Sequence, residues 1–263
     1  MPYRIAIIGA GNLGSWLAVH LANAGHAVHL CVRRNPGLLH VDGLPPVTLP
    51  HYFDAGPPAD FAFLTTKTYD NPAALARVNA PVLAAIQNGL AQPGIPVLSY
   101  VYIESQNGVR HAFPPPRPHF TIPPGTPLPT LFRDTPIQLL EDPDFLSAAW
   151  RKMLHNCISN PLTALAGRGL EILREPRYRV WAEQILTESL PLAAAVGAKV
   201  DPEQILVTLA SYPPGTRTSM LQDRLLGKPL ELAALNGYLV ELGTHYESPT
   251  PVNRDLLSRL SYP

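Results

Sequence analysis

The chain has 263 residues, with 20 basic and 20 acidic side chains and 46% hydrophobic residues. That length suits one large domain or two modest ones, and zero formal net charge leaves no electrostatic footprint for nucleic acid or an anionic membrane. Two cysteines, Cys31 and Cys157, sit inside apolar segments, which excludes a disulfide scaffold or a cysteine-rich zinc site and suits a reducing, cytoplasmic compartment.

Of the 20 basic residues, four are lysines, at positions 67, 152, 199 and 228, and the rest are arginines. A composition that prefers arginine this strongly draws attention to each lysine, whose compact ammonium is the more titratable cation. Codon bias with chance survivors is the plain alternative, so position has to decide.

From the amino terminus, Tyr3 to Ile8 is a β-rich apolar run that leads into Gly9-Ala10-Gly11-Asn12-Leu13-Gly14. A helical pattern and a second strand, Ala27 to Val32, follow. A lone GxGxxG is weak, but between a strand and a helix it points to a dinucleotide site. Gly9 would make the turn, Gly11 admit a pyrophosphate, and Gly14 allow close packing. The backbone N–H groups of Asn12 and Leu13 would open the helix toward the phosphates. Arg33-Arg34 ends the second strand where an NAD site usually carries an acidic residue, so Arg33 suits a 2′-phosphate and favours NADPH over NADH. Glycines interrupt the apolar start and no basic segment precedes it, which argues against a signal peptide. No run reaches the length of a membrane span.

Further strands are expected at Phe61 to Thr66, with Lys67 directly after it, and at Val82 to Gln87, followed by Asn88-Gly89. Lys67 and Asn88 thus stand at strand carboxyl ends, where open α/β sheets gather ligands. An ordinary Asn-Gly turn explains Asn88 equally well. Val97 to Ile103 reads as one more strand, and Val109 to Phe113 and Ile137 to Leu140 as short pieces between proline-rich turns. The PPPRP stretch is a poor SH3-type ligand because it lies within a folded segment. The change from strands to helices places a boundary near residue 142, giving domains 1–142 and 143–263.

From Asp144 to about Gly167 the pattern is helical. Lys152, Asn156 and Asn160 fall about 40° apart around it, opposite Met153, Leu154, Cys157 and Ile158. A solvated helix face normally carries Glu, Lys, Arg or Gln; short Asn, Ser and His groups beside one lysine look more like the lining of a polar site. Pro161 removes one helical hydrogen bond and leaves the Cys157 carbonyl without its usual donor.

Trp150 to Leu165 (WRKMLHNCISNPLTAL) resembles the signature helix of the ketopantoate reductase family. Ser219-Met220-Leu221-Gln222-Asp223, Glu231, Asn236-Gly237 and the closing Pro249-Thr250-Pro251-Val252-Asn253 are similar too, as are the glycine loop, Arg33, Lys67 and Asn88-Gly89. The resemblance implies an α/β fold: an N-terminal Rossmann-type dinucleotide-binding domain and an all-helical C-terminal domain like that of 6-phosphogluconate dehydrogenase, with the site in the cleft between them. It implies NADPH-dependent reduction of 2-dehydropantoate to (R)-pantoate, on the route to pantothenate and coenzyme A. Lys152 would be the general acid and Glu231 the acidic residue that binds the substrate hydroxyl. Asn156, Asn160 and Ser219 would bind substrate, and Lys67 and Asn88 would bridge cofactor and substrate.

Other readings stay beside these. Ser219 and Gln222 also spell a capping box, and Glu231 could be a solvent-facing residue at a helix start. The chain is shorter than the family's usual length between the second strand and Phe61, and Tyr102-Ile103-Glu104 replaces small residues. A related reductase of another 2-oxo or β-hydroxy acid and a non-catalytic NADPH sensor are the alternatives. The expected partner is a small 2-oxo acid, with no metal, nucleic acid or membrane; homo-oligomerisation stays open.

Overall fold

The structure, a computed structural model, describes residues 2–113 and 118–261, so most of the PPPRP stretch lies outside the described residues. The chain divides into two compact units. The first comprises Met1–Gln87 with Gln92–Phe145, and the second Asn88–Ala91 with Leu146–Pro263.

The first unit is built on a six-stranded sheet of β1 (Arg4–Ile8), β2 (Ala27–Cys31), β4 (His51–Tyr52), β5 (Phe61–Leu64), β6 (Val82–Ala85) and β7 (Ile95–Pro96). Its order is β4-β2-β1-β5-β6-β7, with every neighbouring pair parallel. β1 and β5 are buried at nearly every position, which is why they read as unbroken apolar runs: a parallel sheet covered on both faces has no polar side. Helix α1 (Asn12–Asn23) is the crossover from β1 to β2, and Trp16, Leu17 and Leu21 are fully buried in the core it shares with Ile5, Ile7 and Phe63. The short helix α2 (Asn71–Leu75) follows β5.

Two small sheets complete this unit. One has the order β3 (His40–Val41), β10 (Val109–Phe113), β9 (Tyr102–Gln106); the other β12 (Gln138–Glu141), β11 (His119–Ile122), β8 (Leu98–Ser99). The single strand expected over Val97–Ile103 is therefore two. β8 pairs with β11 and β9 with β10, so the chain changes sheets at Tyr100 and Val101, a switch that hydrophobicity alone does not reveal.

The second unit is helical: α3 (Phe145–Ala166, Phe145 itself belonging to the first unit), α4 (Pro176–Ala195), α5 (Pro202–Ser211), α6 (Ser219–Leu225), α7 (Tyr238–His245) and α8 (Pro251–Leu260), with a π-turn at Ala233–Gly237 before α7. Its core includes Trp150, Leu154, Cys157, Ile158, Leu162, Ile185 and Leu239. Among the described residues no helix is long and apolar enough to cross a membrane.

Pro161 lies inside α3, and the helix continues through it. The carbonyl it leaves without a partner is satisfied from elsewhere: the Asn236 side-chain amide donates to the Cys157 oxygen at 3.0 Å and to Asn253 Oδ1 at 2.8 Å. Asn253 Nδ2 in turn donates to Glu188 of α4 at 2.7 Å. The Glu188 carboxylate also accepts the N–H groups of Val252 and Asn253, capping an α8 whose own Thr250 supplies no cap. Asn236 and Asn253, both within segments that resemble the family, hold this structural network together.

Candidate active site

In the first unit, the polar ends of parallel strands gather at one edge of the sheet. β2 and β5 flank β1, and the chain order reverses there, the position where open α/β sheets form a ligand crevice. The glycine loop leaves β1 at this point, and each glycine has a different reason to be there. Gly9 has a φ of +104°, the left-handed region. A Cβ on Gly14 would lie 2.0 Å from the Gly9 carbonyl oxygen and 2.4 Å from Thr65 Oγ1, so only glycine lets α1 approach β1 this closely. A Cβ on Gly11 would meet no protein atom within 4 Å. The protein's own packing thus does not require glycine at position 11, whereas a close-lying phosphate would.

The start of α1 suits such a group as well. Gly11 is its N-cap with no side-chain bond to the first turn, and that turn carries no acidic residue, so no side chain of the cap or the turn competes for its N–H groups. The Asn12 side chain donates instead to the Ile103 carbonyl at 3.4 Å, and Leu13 packs against the core. These features fit a dinucleotide pyrophosphate.

Thr65 Oγ1 donates to the Gly9 carbonyl at 2.8 Å and locks the loop to β5. Lys67, half-buried, is the residue before the tight turn Thr68–Asp70. Gln87 is buried beyond β6, donating to Asn71 Oδ1 at 2.6 Å and to the Thr66 carbonyl at 2.8 Å. Arg33 is exposed, its Nη1 donating to Asp70 Oδ1 at 3.1 Å. Thr65, Asp70, Asn71 and Gln87 carry no motif; only the strand order brings them to this edge. Near it, Ile103 is buried in the core, and the Tyr102 hydroxyl donates to Glu104 at 2.7 Å.

In the second unit, Asn88 forms the hub of a polar cluster. Its Nδ2 donates to Glu231 Oε2 at 2.8 Å, and its Oδ1 accepts from Asn156 Nδ2 at 3.1 Å. Both ends of the amide are used, which sets its orientation without ambiguity. Gly89 has a φ of +83°, and a Cβ there would lie 2.5 Å from the Ala234 carbonyl oxygen. The Asn-Gly pair therefore docks this segment against the π-turn as well as turning the chain. Glu231 is buried just before that turn, so it is not the solvent-facing helix-start residue that sequence also allowed.

Lys152 lies one helical turn before Asn156 on the same face of α3. Burial lowers its ammonium from 10.5 to about 8. His155 follows three residues later. Burial first, then the charge of Lys152, push its imidazole down to about 4, partly offset by a hydrogen bond with Asn156. Its Nε2 is buried with no hydrogen-bond partner among the described residues. Asn160 is buried further along the helix.

Ser219 differs from expectation. The cap of α6 is Thr218, whose hydroxyl accepts from the Leu221 N–H at 3.2 Å; Ser219 is the first helical residue and is exposed, so Ser219 and Gln222 form no capping box. Thr218 was the better cap because its hydroxyl is also anchored by Thr163 Oγ1 at 2.6 Å. Lys199 and Lys228 are exposed, as surface residues should be. Among the described residues no group of His, Cys, Asp and Glu could hold a metal.

Known proteins share this sequence pattern and fold. Residues 5–95 match the family described as ketopantoate reductase PanE/ApbA, and residues 144–261 match its C-terminal domain. A 2-dehydropantoate 2-reductase of Mycobacterium tuberculosis is 29% identical, covering 99% of this chain and 98% of its own. A PanE/ApbA family ketopantoate reductase from Ralstonia eutropha superposes with a TM-score of 0.85 at 25% identity, over 97% of this chain and 96% of its own. A D-mandelate dehydrogenase solved with NADH and anilino(oxo)acetate shares the fold, with a TM-score of 0.87 at 17% identity over 98% of this chain and 97% of its own. With a parallel dinucleotide-type sheet, a helical second unit and both family domains matched in order, the chain belongs to the ketopantoate reductase family.

Proposed function

We propose that this protein catalyses the NADPH-dependent reduction of 2-dehydropantoate to (R)-pantoate in the cytoplasm, with residues 1–142 as the dinucleotide-binding domain and 143–263 as the substrate and catalytic domain. The observation that carries the reading is Lys152: an ammonium lowered to about 8 by burial, on the helix face whose next turn joins Asn88 and Glu231.

Reduction of a ketone places negative charge on the carbonyl oxygen, which needs a cation or proton donor beside it. The reduced nicotinamide supplies the hydride when bound. Lys152 gives its proton to the substrate oxygen; near pH 7 an ammonium at about 8 is still mostly charged, yet releases its proton far more readily than an ordinary lysine. Glu231, held by Asn88, accepts the substrate hydroxyl. Asn156, Asn160 and Ser219 offer short polar groups to the rest of the 2-oxo acid, and Lys67 supplies positive charge beside the cofactor. Gly11, with the Asn12 and Leu13 N–H groups, would hold the pyrophosphate at the loop that Gly9 turns and Gly14 lets pack closely, and Arg33 would meet the 2′-phosphate.

The test is a steady-state assay with NADPH and a panel of 2-oxo acids. The highest kcat/KM is expected for 2-dehydropantoate. Preference for another 2-oxo acid would replace the substrate while keeping the chemistry. NADPH binding with no turnover of any member would make the protein a sensor and overturn the reading.

A further inference from the structure

We propose that Asp70 is a specificity-determining residue for the adenosine end of the cofactor: its carboxylate competes with a 2′-phosphate for Arg33 and so narrows the preference for NADPH over NADH. The inference rests on the dinucleotide reading above and concerns only residues of the first unit.

Arg33 stands two residues beyond β2, and Asp70 in the turn beyond β5. Because β2 and β5 flank β1 in a parallel sheet, these loops rise on either side of the glycine loop. Arg33 Nη1 donates to Asp70 Oδ1 at 3.1 Å across that gap. Asp70 also immediately precedes α2, where an aspartate would ordinarily cap the helix; it makes no such bond, and its carboxylate is turned to Arg33 instead. The turn is itself fixed, with the Asp70 N–H donating to the Lys67 carbonyl at 3.0 Å, so the carboxylate is delivered by a closed loop.

Arg33 is 74% exposed and Asp70 25%. An exposed ion pair of this kind is weak and exchanges readily. A 2′-phosphate, with more charge and three acceptor oxygens, would win the guanidinium through bidentate, charge-assisted bonds. The displaced carboxylate stays next to the phosphate as a like charge and opposes it. Toward NADH the same carboxylate can accept a ribose hydroxyl, as an acidic residue does in sites built for that cofactor. Arg33 and Asp70 thus act in opposite directions on one choice.

The experiment measures dissociation constants of NADPH and NADH by calorimetry for the wild type, Asp70→Asn, Asp70→Ser and Arg33→Ala, with thermal unfolding to confirm folding. Removing a like charge at a partly exposed site changes affinity by roughly three- to tenfold. Both Asp70 variants should therefore bind NADPH roughly three- to tenfold tighter, with NADH unchanged or weaker. Unchanged or weaker NADPH binding in both overturns the proposal. Arg33→Ala separates the two levels. If it weakens NADPH selectively while the Asp70 variants fail to tighten it, only the role of Asp70 falls. If it weakens neither cofactor, the 2′-phosphate assignment falls and the proposal with it.

Discussion

The Asn236 side chain donates to the Cys157 carbonyl oxygen at 3.0 Å, the backbone group in α3 that Pro161 leaves without its helical N–H. The helix that carries Lys152, Asn156 and Asn160 can therefore contain a proline without a buried unsatisfied carbonyl. Asn236 uses both amide hydrogens, the second on Asn253, and its Oδ1 has no partner among the described residues, so the side chain serves there as a double donor.

Asn236→Ala should consequently destabilise the protein by about 2–3 kcal/mol, the cost of leaving buried acceptors unpaired. Thermal unfolding should fall by roughly 5–10 °C for a chain of this size. Asn236→Asp should cost more, because it sets oxygens against two acceptors.

The glycine loop allows stability and binding to be separated. Gly14→Ala should destabilise the fold severely, since its Cβ would lie 2.0 Å from the backbone oxygen of Gly9. Gly11→Ala meets no protein atom and should cost at most about 1 kcal/mol, the difference between glycine and alanine at an N-cap. On the proposed cofactor placement it should nevertheless weaken NADPH by roughly tenfold or more, because its methyl would occupy the space assigned to the pyrophosphate. Calorimetry beside thermal unfolding reads both; unimpaired NADPH binding by Gly11→Ala would place the phosphates elsewhere.

His20, packed edge-on against Trp16 at 4.5 Å between ring centres, makes the fold sensitive to acid. Burial lowers its pKa from 6.5 to about 4. Between those values the unfolded chain binds a proton that the folded one refuses, so its contribution is complete above about pH 6.5 and is lost as the pH falls toward 4. At pH 5 the loss is about 2 kcal/mol. Urea unfolding at pH 7.5 and pH 5 should show it, and His20→Leu should reduce the difference between the two by a similar amount.

Much of this could be read before the structure, for definite reasons. The glycine loop, Arg33 and the Lys152–Asn156–Asn160 stripe are local patterns, carried by a turn or a helical period. What escaped depends on contacts between distant segments. Asp70 meets Arg33 only because β5 and β2 flank β1. Glu188 caps α8 from α4, and Asn236 reaches Cys157 from the π-turn. Thr218 displaces Ser219 as the cap through its bond to Thr163, a choice of one residue that tertiary packing decides. The division of Val97–Ile103 follows from strand pairing, which an apolar run does not encode.

The role proposed for Lys152 also sets an expected pH dependence of turnover. A general acid works protonated, so kcat/KM should be level below about pH 8 and fall tenfold per unit above it, far below the 10.5 of a solvated lysine. A profile flat to pH 10 would mean that the ammonium is not titrating in the reaction.

The most direct measurement is the turnover number of Lys152→Ala with NADPH and 2-dehydropantoate, beside its dissociation constant for NADPH. If Lys152 donates the proton, turnover falls by roughly a hundredfold or more while NADPH binding stays within about twofold of wild type. Near-wild-type turnover in that variant would contradict the assignment and leave the reduction without its acid.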